Sequence, residues 1–399
     1  MTRSALTTRP LGPDDAEAYR RAGWEAFGVP SDPVAAAARP AYAPGMRAWG
    51  TFDGDRLVAR IVDREYDSWF GGARVPTSGI AGVTVVAEDR GRGLLDGLFE
   101  ALLRNARERG VAISTLFPTA PRIYRRFGYE VVGQFDTVEL TTADLAAVRE
   151  TGDLHARRAL PADLDAVRGV YDAWAAAQNG PLTRRGPSFP ATAEEVLASY
   201  TGITLAVDGQ DRVHGYASWR RGPGYGEHTA LRVADLVATR EDARSTLLRT
   251  LGSFASVAPV TRLDTSGDDP VRYLLPSAGW HAVESEPYML RLLDPGAAFG
   301  LRTWPAGLVL DTVFELADEH LHDLDGSWRL SVRDGSATCE RTDAPAGPRF
   351  TGRGLALSYA GAQGSANLRM AGLLSGDDTH DGLWDAALGG RQVHVRDYF

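Results

Sequence analysis

A short segment in which a buried strand runs through a glycine-containing loop straight into a helix constrains this sequence most. Residues 78–86 form a β-branched apolar run that predicts a buried strand. Residues 93–109 carry leucines and a phenylalanine at helical spacing and end before Gly110. Between them stand residues 89–92, Asp-Arg-Gly-Arg. N–H groups at a helix start are unpaired, and glycines let the backbone approach an anion closely, so the segment predicts a diphosphate site.

The loop pattern leaves other interpretations open. A tight turn with exposed arginines would have the same residues. A dinucleotide-binding loop matches less well, because the spacing G-x-G-x-x-G and the acidic residue after the following strand are both absent. The lysine of a phosphate-binding P-loop does not follow either. The loop alone therefore indicates an anion site without identifying the ligand.

The chain is long enough for two or three domains, and its element pattern divides it into three units. Residues 1–150 predict alternating strands and helices, and residues 151–295 repeat that order. Residues 296–399 predict a short helix, several strands and, at 392–399, an alternating strand that reaches the last residue. The other predicted elements are a helix at 13–28, a hairpin of 47–52 and 56–63 turning at Asp53-Gly54, strands at 111–117, 134–140, 203–207 and 213–220, a helix at 162–179, and a strand followed by a helix at 231–257.

Composition excludes several classes of protein. The formal net charge of −9 argues against a nucleic-acid partner, since phosphate binding needs a basic face, and it is compatible with cationic substrates or with solubility alone. The single cysteine, Cys339, excludes an intramolecular disulfide and a cysteine-rich metal site. Solvated surface positions explain histidines 320, 322 and 380, so we assign no metal. The longest nearly apolar run, residues 79–87, is about half a membrane span, and no apolar region follows the N-terminus. We expect a cytoplasmic protein that binds no membrane.

Two motifs taken together resemble the GNAT superfamily of acetyltransferases. Arg90-x-x-Gly93 after a strand is similar to its Q/R-x-x-G-x-G/A diphosphate loop, and residues 123–129, Ile-Tyr-Arg-Arg-Phe-Gly-Tyr, are similar to its YxxFGF/Y stretch. Leu95 stands where the loop motif has its last Gly or Ala. That variant, with tandem units and an aromatic last residue, resembles the Eis (enhanced intracellular survival) family. The resemblance covers the whole chain in layout, while its specific motifs lie within 83–129 and at the terminus.

The family resemblance implies a fold, an activity and partners. It implies tandem GNAT-like α/β domains at 1–150 and 151–295, followed by a sterol-carrier-protein-like domain at 296–399 that brings the C-terminus to the active site. It implies transfer of an acetyl group from acetyl-CoA to primary amines of cationic small molecules, aminoglycoside-like or polyamine-like, within a ternary complex. A homo-oligomer, trimer or hexamer, is expected from the family only.

The resemblance also assigns the contacts of acetyl-CoA. Val83 would orient the acetyl carbonyl, with Thr84 beside it, and Val85 would contact the pantetheine arm. Thr119 and Ala120 would flank the pantetheine from the other side. The diphosphate would be held, mainly through the backbone, by Arg90, Gly91, Arg92, Gly93, Leu94, Leu95 and Asp96.

Tyr124 is the candidate general acid, because a phenol with an unperturbed pKa of ~10 nearly matches a thiol leaving group. A tyrosine that only packs in the core is the other interpretation. Residues 80–130 offer no histidine or carboxylate in an obviously apolar setting, and in Eis-like enzymes the terminal carboxylate, here that of Phe399, is taken to be the base. Its low pKa of ~3.5 makes it a poor base for a full ammonium unless that pKa is shifted or the group works through water. It could bind the cationic amine and accept a proton as the amine becomes acidic in the transition state. Most C-termini are frayed, however, and Tyr398 replaces an acidic residue of the family.

Two further regions carry weaker predictions. Trp24, Glu25 and Phe27 would face a cationic amine through stacking and charge, or would serve as core and surface of an amphipathic helix. Residues 233–243 of the middle unit echo the cofactor loop, but acidic residues and an alanine replace its glycines, at Glu241, Asp242 and Ala243. Two carboxylates would repel a diphosphate and each Cβ would block close approach, so we predict that this unit binds no CoA.

Two other functions remain open at this point. One is a non-enzymatic lipid-binding or scaffold protein whose last domain is the active part and whose loop is vestigial. The other is a tRNA-dependent aminoacyl transferase with tandem GNAT units, against which the acidic balance speaks. Consumption of acetyl-CoA in the presence of amines separates these functions.

Overall fold

The computed structural model describes residues 6–224 and 229–399 and contains two β-sheets. The larger sheet has twelve strands and runs through the first two predicted units, and the smaller has five strands and belongs to the last. The predicted mixed α/β sheets are therefore confirmed. Among the described residues, no helix is both long and apolar enough to cross a membrane.

The first unit forms six strands and five α-helices. They are β1 (Leu6–Pro10), α1 (Ala16–Phe27), α2 (Pro33–Ala38), β2 (Met46–Asp53), β3 (Arg56–Phe70), β4 (Ala73–Val85), α3 (Leu94–Glu108), β5 (Ile113–Leu116), α4 (Pro121–Arg125), β6 (Glu130–Thr141) and α5 (Thr142–Ala146). Gly54, with φ of +61°, turns β2 into β3 as predicted. The leucine-rich face of α3 is buried, and Gly110 ends that helix region with φ of +77°.

The middle unit repeats this order with six strands and four α-helices. They are β7 (His155–Arg158), α6 (Leu164–Ala175), α7 (Ala193–Ala198), β8 (Gly202–Val207), β9 (Val213–Arg221), β10 (Ala230–Ala238), α8 (Glu241–Gly252), β11 (Val260–Thr265), α9 (Val271–Leu274) and β12 (His281–Leu292). The helix predicted at 162–179 is shorter than expected, because a 3-10 turn at Pro161–Asp163 precedes it and residues 176–179 lead out of it.

The last unit has four helices and its own sheet, and one of the helices, α11, also packs against β6 and β12 of the large sheet. The elements are α10 (Pro295–Leu301), β13 (Leu310–Ala317), β14 (Gly326–Arg333), β15 (Ser336–Arg341), β16 (Pro348–Thr351), α11 (Gly352–Ala360), α12 (Ser365–Met370), β17 (Leu374–Gly376) and α13 (Asp381–Leu388). Asp294 caps α10 by accepting a hydrogen bond from the Ala297 amide at 3.0 Å. Phe299, Phe314 and Trp384 form an aromatic core in this unit.

The order of the large sheet is β1-β2-β3-β4-β5-β12-β6-β11-β10-β9-β8-β7. The strand that ends the middle unit, β12, lies beside β5 of the first unit, and β6 of the first unit lies beside β11 of the middle unit. The two units thus exchange their last strands within one continuous sheet. Their predicted limits at residues 150 and 295 stay a prediction.

Each half of the large sheet contains one parallel pair of strands whose pairing stops before one of them ends. In the first half, β4 and β5 pair as far as Ile80 and Leu116, and β4 continues to Val85. In the second half, β10 and β11 pair as far as Val233 and Leu263, and β10 continues alone beside β9. Each half therefore has an opening at the edge of its longer strand, which we call the first opening and the second opening.

The strand predicted at residues 392–399 is wrong. Only Val393 forms a β-bridge, with Asn179, and the stretch forms no strand. Residues 393–396 are nevertheless buried. The apolar side chains of Val393 and Val395 belong to the core of the last unit, whereas the alternate polar side chains contact the middle unit. The alternation in sequence thus comes from two different neighbours rather than from a sheet.

Candidate active site

A β-bulge marks the first opening. The register of β4 against β3 shifts between Arg60 and Val62, where β4 contributes one extra residue. Gly82 lies in this bulge with φ of +57°, a conformation that favours glycine. Val83 follows directly, and Thr84 is buried. The sheet therefore presents the predicted acetyl-binding residues at a local distortion beside the opening.

The backbone of Val85 faces the opening. The Val86 amide donates a hydrogen bond to the Val58 carbonyl of β3 at 3.0 Å. Because successive residues of a strand direct their N–H and C=O groups to opposite edges, the backbone of Val85 points away from β3. Its carbonyl accepts a hydrogen bond from Nε of the exposed Arg90 at 3.4 Å. This edge is the one that the prediction assigns to the pantetheine arm.

The loop after β4 presents a row of free amides. Gly91 and Gly93 have φ of +78° and +73°, and the helix α3 begins at Leu94. Among the described residues, the N–H groups of residues 91–95 donate to no backbone or side-chain acceptor. Such a row at a helix start binds anions. Leu95 is tolerated in place of a small residue because its side chain packs against the apolar core behind the loop.

Two charged side chains of the loop are held within the protein. Arg92 pairs with Asp53 at 3.1 Å and also with Asp89. Asp96 pairs with Arg126 at 2.7 Å. These pairs neutralise both side chains and fix the shape of the loop. Arg92 would therefore contact the diphosphate only through its backbone amide, whereas the Asp96 amide already donates a hydrogen bond to the Gly93 carbonyl at 3.2 Å. Both predicted contacts stay predictions.

Tyr124 lies on α4, buried beneath the opening. Its side chain is 6% exposed and meets the ring of Phe99 on α3 edge-on, with centroids 6.1 Å apart. Burial raises the pKa of Tyr124 to about 12, so the hydroxyl keeps its proton at neutral pH. Val83, Val85 and Leu95 border the apolar cluster that contains Tyr124. The protonated hydroxyl of Tyr124 thus lies on the same face of the sheet as the glycine-containing loop after β4.

The link between β5 and α4 bounds the opening on its other side. Thr119 is exposed, and Ala120 is extended, with φ of −146°, just before α4. The Ala120 carbonyl accepts a hydrogen bond from the Ile123 amide at 3.0 Å. Both predicted residues follow β5, on the opposite side of the opening from Val83. Their contact with pantetheine stays a prediction.

The last residue packs on the sheet close to the first opening. The ring of Phe399 lies 5.0 Å from that of Tyr66 and 5.4 Å from that of Phe117, measured between centroids. A Cβ on Gly79 would lie 2.5 Å from the Tyr66 ring and 2.9 Å from the Phe399 ring. Only glycine leaves room for this packing.

Tyr124 and Phe399 lie on opposite faces of the sheet. Ile80 belongs to the apolar cluster that contains Tyr124, whereas its neighbour Gly79 faces the Phe399 ring. Successive residues of a strand point to opposite faces, so one group approaches the opening from each side. Tyr124 and the terminal residue can therefore each reach the opening from a different face, so that one could donate a proton while the other accepts one.

Sequence reasoning missed Gly79, Tyr66 and Asp397. Gly79 carried a signal, because a glycine inside an apolar strand marks a close approach. Asp397 stands one position before the exposed Tyr398, and its carboxylate pairs with Arg184 at 2.9 Å. The acidic group near the end of the chain is thus present one residue earlier than the family pattern has it. No local signal identified Tyr66, whose partner is far away in sequence.

The three residues predicted for amine binding lie on α1. Glu25 accepts a hydrogen bond from the Ala87 amide at 2.9 Å, so it holds the turn that precedes the loop. Trp24 is half-buried, and Phe27 is 59% exposed. Among the described residues, neither the Trp24 ring nor the Phe27 ring forms an aromatic pair with the Phe399 ring. Their role with an amine stays a prediction.

The corresponding loop of the middle unit is filled by its own side chains. The carboxylate of Asp242 accepts hydrogen bonds from Arg240 at 3.0 Å and from the Ala243 amide at 2.9 Å. A Cβ on Gly152 would lie 2.7 Å from Asp242, so the carboxylate is also packed against the chain. Asp242 thus already supplies a negative charge at the start of α8. This arrangement supports the prediction that the unit binds no CoA.

The histidines considered in the sequence have other partners. His320 packs edge-on against Phe127 at 5.0 Å, and a ring nitrogen of His380 lies 3.1 Å from the hydroxyl of Thr312. His322 is exposed. Within residues 6–224 and 229–399, no group of three or more His, Cys, Asp or Glu side chains could hold a metal ion.

Family models match most of the chain in three segments, leaving residues 133–179 unmatched. An acetyltransferase (GNAT) domain model matches residues 7–132, and a second acetyltransferase (GNAT) domain model matches residues 180–292. A sterol carrier protein domain model matches residues 295–396. These matches fall in the order of the three predicted units.

Individual relatives extend over most of the chain. An uncharacterized N-acetyltransferase of Streptomyces coelicolor is 30% identical over 319 residues, which are 76% of this chain and 75% of the relative. The N-acetyltransferase Eis of Mycobacterium tuberculosis is 27% identical over 94% of this chain and 90% of its own length. The crystal structure of a GCN5-related N-acetyltransferase from Kribbella flavida superimposes with a TM-score of 0.83 at 30% identity, covering 100% of this chain and 99% of that one.

Proposed function

Because the chain belongs to the Eis family of GNAT N-acetyltransferases, we propose that it acetylates primary amines of cationic small molecules, aminoglycoside-like or polyamine-like, by direct transfer from acetyl-CoA. Both substrates would be bound together, in the cytoplasm, and the enzyme would work as a homo-oligomer, trimer or hexamer. The observation that carries the proposal is the placement of a buried phenol and the terminal residue on opposite faces of one opening.

The first opening fits acetyl-CoA by its backbone. The free amides of residues 91–95 would bind the diphosphate, and the two left-handed glycines keep that surface free of side chains. The outward edge of Val85 would pair with the amide groups of pantetheine, as an added strand does. The bulge at Gly82 and Val83 would direct an N–H to the thioester carbonyl and so stabilise the charge that develops on its oxygen.

Two proton transfers complete the reaction. As the amine nitrogen forms its bond to the carbonyl carbon and the carbon–sulfur bond breaks, the nitrogen loses a proton and the sulfur gains one. The terminal carboxylate of Phe399 would accept the first proton on one face of the sheet. Tyr124 would donate its proton to the sulfur on the other face. A direct transfer needs no acyl-enzyme intermediate.

Aromatic rings and a carboxylate favour a cationic acceptor. The ring of Phe399 contacts the rings of Tyr66 and Phe117, with centroids 5.0 and 5.4 Å apart. Phe117 in turn contacts the ring of Tyr398 at 4.5 Å. An ammonium group is attracted to ring faces and to a carboxylate. The overall net charge of −9 would steer cations toward the protein.

Release of CoA thiol tests the proposal. The assay uses acetyl-CoA with polyamines and aminoglycosides, and with neutral alcohols of similar size as controls. We expect thiol release with the primary amines only, and a fall in turnover of about 100-fold when Phe399 is removed, because the carboxylate is then displaced by one residue. The matched variant Phe399→Tyr keeps a ring and the terminal carboxylate and should stay within a few fold of the native chain.

Two results would count against the proposal. If no amine in the panel releases thiol, transfer to small cationic amines is wrong. If the chain without Phe399 is fully active, the terminal carboxylate is not the base.

A further inference from the structure

The second opening has the same backbone as the first. A register shift between Val233 and Asp235 places a bulge at Ala234, on the strand that continues after its parallel partner stops pairing. A cavity of about 490 Å³ lies there, and it is lined by Ala234 and Asp264, the residues that follow the last pair, and by Asp235. The bulge and the parting strands thus occur in both halves of the sheet.

The C-terminal segment of the chain lines this second opening through residues 396–398. Arg396 is 6% exposed and donates a hydrogen bond to the Asp264 carbonyl at 2.6 Å, where β11 has parted from β10. The same guanidinium donates to the buried carboxylate of Asp269 at 3.3 Å. Arg396 is therefore tied to one of the two strands that bound the opening.

The other strand is tied to the tail through Arg184. Its guanidinium makes two hydrogen bonds to Asp235 of β10, at 2.7 and 3.0 Å, and a third to Asp397 at 2.9 Å. It also stacks over the ring of Tyr171 at 4.3 Å. Arg184 has φ of +54°, which costs a non-glycine residue about 1 kcal/mol or more, so this conformation must be held by its contacts.

We propose that the second opening acts as a clamp for the C-terminal tail, and that Arg184, Arg396 and Asp397 are positioning residues for the Phe399 carboxylate. The inference rests on the proposed function, because it assigns these residues to the same reaction. The first opening would bind the thioester of acetyl-CoA, whereas the second opening makes ionic contacts with the C-terminal tail.

The clamp lies close enough to position the last residue. From Asp397 to Phe399 is two residues, a span of at most ~7 Å. Beyond the bridge at Val393 the tail lacks a sheet ladder, so its last residues are held by the packing of the Phe399 ring and by the side-chain bonds at 396 and 397. Loss of one bond would let the carboxylate move, and a displacement near 1 Å lowers turnover by as much as ~100-fold.

Substitution Asp397→Asn tests the clamp with little change in volume. The variant keeps Arg184 paired with Asp235 but removes the charge that holds the tail. We expect kcat to fall about tenfold or more while KM for acetyl-CoA changes less than twofold, because the first opening is untouched. Carboxypeptidase should release Phe399 about tenfold faster than from the native chain. Asp397→Glu restores the charge and should recover part of both properties.

The matched control is Asp165→Asn, which removes an exposed carboxylate of the middle unit, far from the tail in sequence, and should change neither property. Native kcat in Asp397→Asn, or native resistance to carboxypeptidase, would overturn the clamp. The protease measurement needs no amine substrate, so it tests the clamp separately from the proposed function. If the native chain acetylates no amine, and carboxypeptidase still releases Phe399 faster from Asp397→Asn than from the native chain, the proposed function is refuted and the clamp is supported.

Discussion

The two openings of the large sheet have the same backbone plan and opposite contents. In the first, Gly91 and Gly93 leave a row of amides free, and among the described residues no side chain caps the start of α3, where the carboxylate of Asp96 pairs with Arg126 instead. In the second, Asp242 fills the start of α8, and the tail enters between the parted strands through Arg396. The comparison indicates that parting parallel strands and a bulge create a groove for an extended chain. The side chains around the groove determine whether it binds a ligand such as acetyl-CoA or the protein's own C-terminal tail.

The largest expected loss of turnover comes from a substitution at the first opening, which the comparison identifies as the catalytic one. Tyr124→Phe removes only the hydroxyl, so we expect kcat to fall by about 100-fold or more, as the loss of a general acid does, with CoA affinity unchanged. Stopped-flow or steady-state thiol release and calorimetry with CoA measure the two quantities. The matched change Tyr171→Phe, in the second opening, removes a hydroxyl that bonds to the Leu182 carbonyl at 2.8 Å and more weakly to Asp397 at 3.5 Å, and should leave kcat within about tenfold. Equal losses in both variants would erase the distinction between the openings.

Gly79→Ala tests the packing of the last residue against the sheet. The added Cβ collides with the Tyr66 and Phe399 rings, so the terminal carboxylate must shift. We expect kcat to fall about 10- to 100-fold while KM for acetyl-CoA is retained. A fall in CoA affinity with unchanged kcat would place Gly79 on the CoA side instead.

Gly93→Ala tests the row of amides. The left-handed conformation costs alanine about 1–2 kcal/mol, which corresponds to roughly tenfold weaker CoA binding if the loop relaxes away from its shape. Gly307→Ala is the control, because Gly307 has φ of +80° in open space within the last unit. Both variants should lose similar stability in thermal unfolding, but only Gly93→Ala should weaken CoA binding in calorimetry. Equal affinity in both would show that the loop does not hold the diphosphate.

The smallest effect concerns the buried polar network beside the second opening. Burial, together with the charges of Arg396 and Arg244, lowers the pKa of His394 to about 4 against the opposing effect of Asp269. Between pH 6.5 and 4, the unfolded chain binds a proton there and the folded chain does not, so stability falls as the pH falls through this window. At 1.36 kcal/mol per pKa unit, the loss is on the order of 3 kcal/mol.

Denaturant unfolding at several pH values measures this loss. The variant His394→Asn should show a shallower pH dependence, whatever its absolute stability, and the exposed control His322→Asn should keep the native slope. An unchanged slope in His394→Asn would mean that the histidine is not buried in its neutral form.

Local features of the sequence predicted the local parts of the fold. The loop glycines, the hairpin at Gly54 and the helix α3 depend on nearest neighbours and were predicted close to their observed positions. The neutralisation of Arg92 was missed, because Asp53 lies 39 residues away and a sequence does not show which carboxylate an arginine meets. The three units were visible as repeated patterns, and the structure and the family matches agree with their order.

Long-range pairings could not be predicted in the same way. The exchange of β6 and β12 follows from competition among strand edges, which no local pattern records. The alternation of residues 392–399 indicated a strand, but it reflects an apolar core on one side and Asp264 and Asp269 on the other. Tail contacts such as that of Arg184 with Asp397 span 213 residues, and only the folded chain shows them.

A crystal structure of the complex with CoA tests the difference between the two openings most directly. We predict the diphosphate on the amides of residues 91–95, the thiol end between β4 and β5, and Arg396 and Asp397 still at the second opening. A nucleotide bound between β10 and β11, or a tail displaced from that opening by CoA, would contradict it.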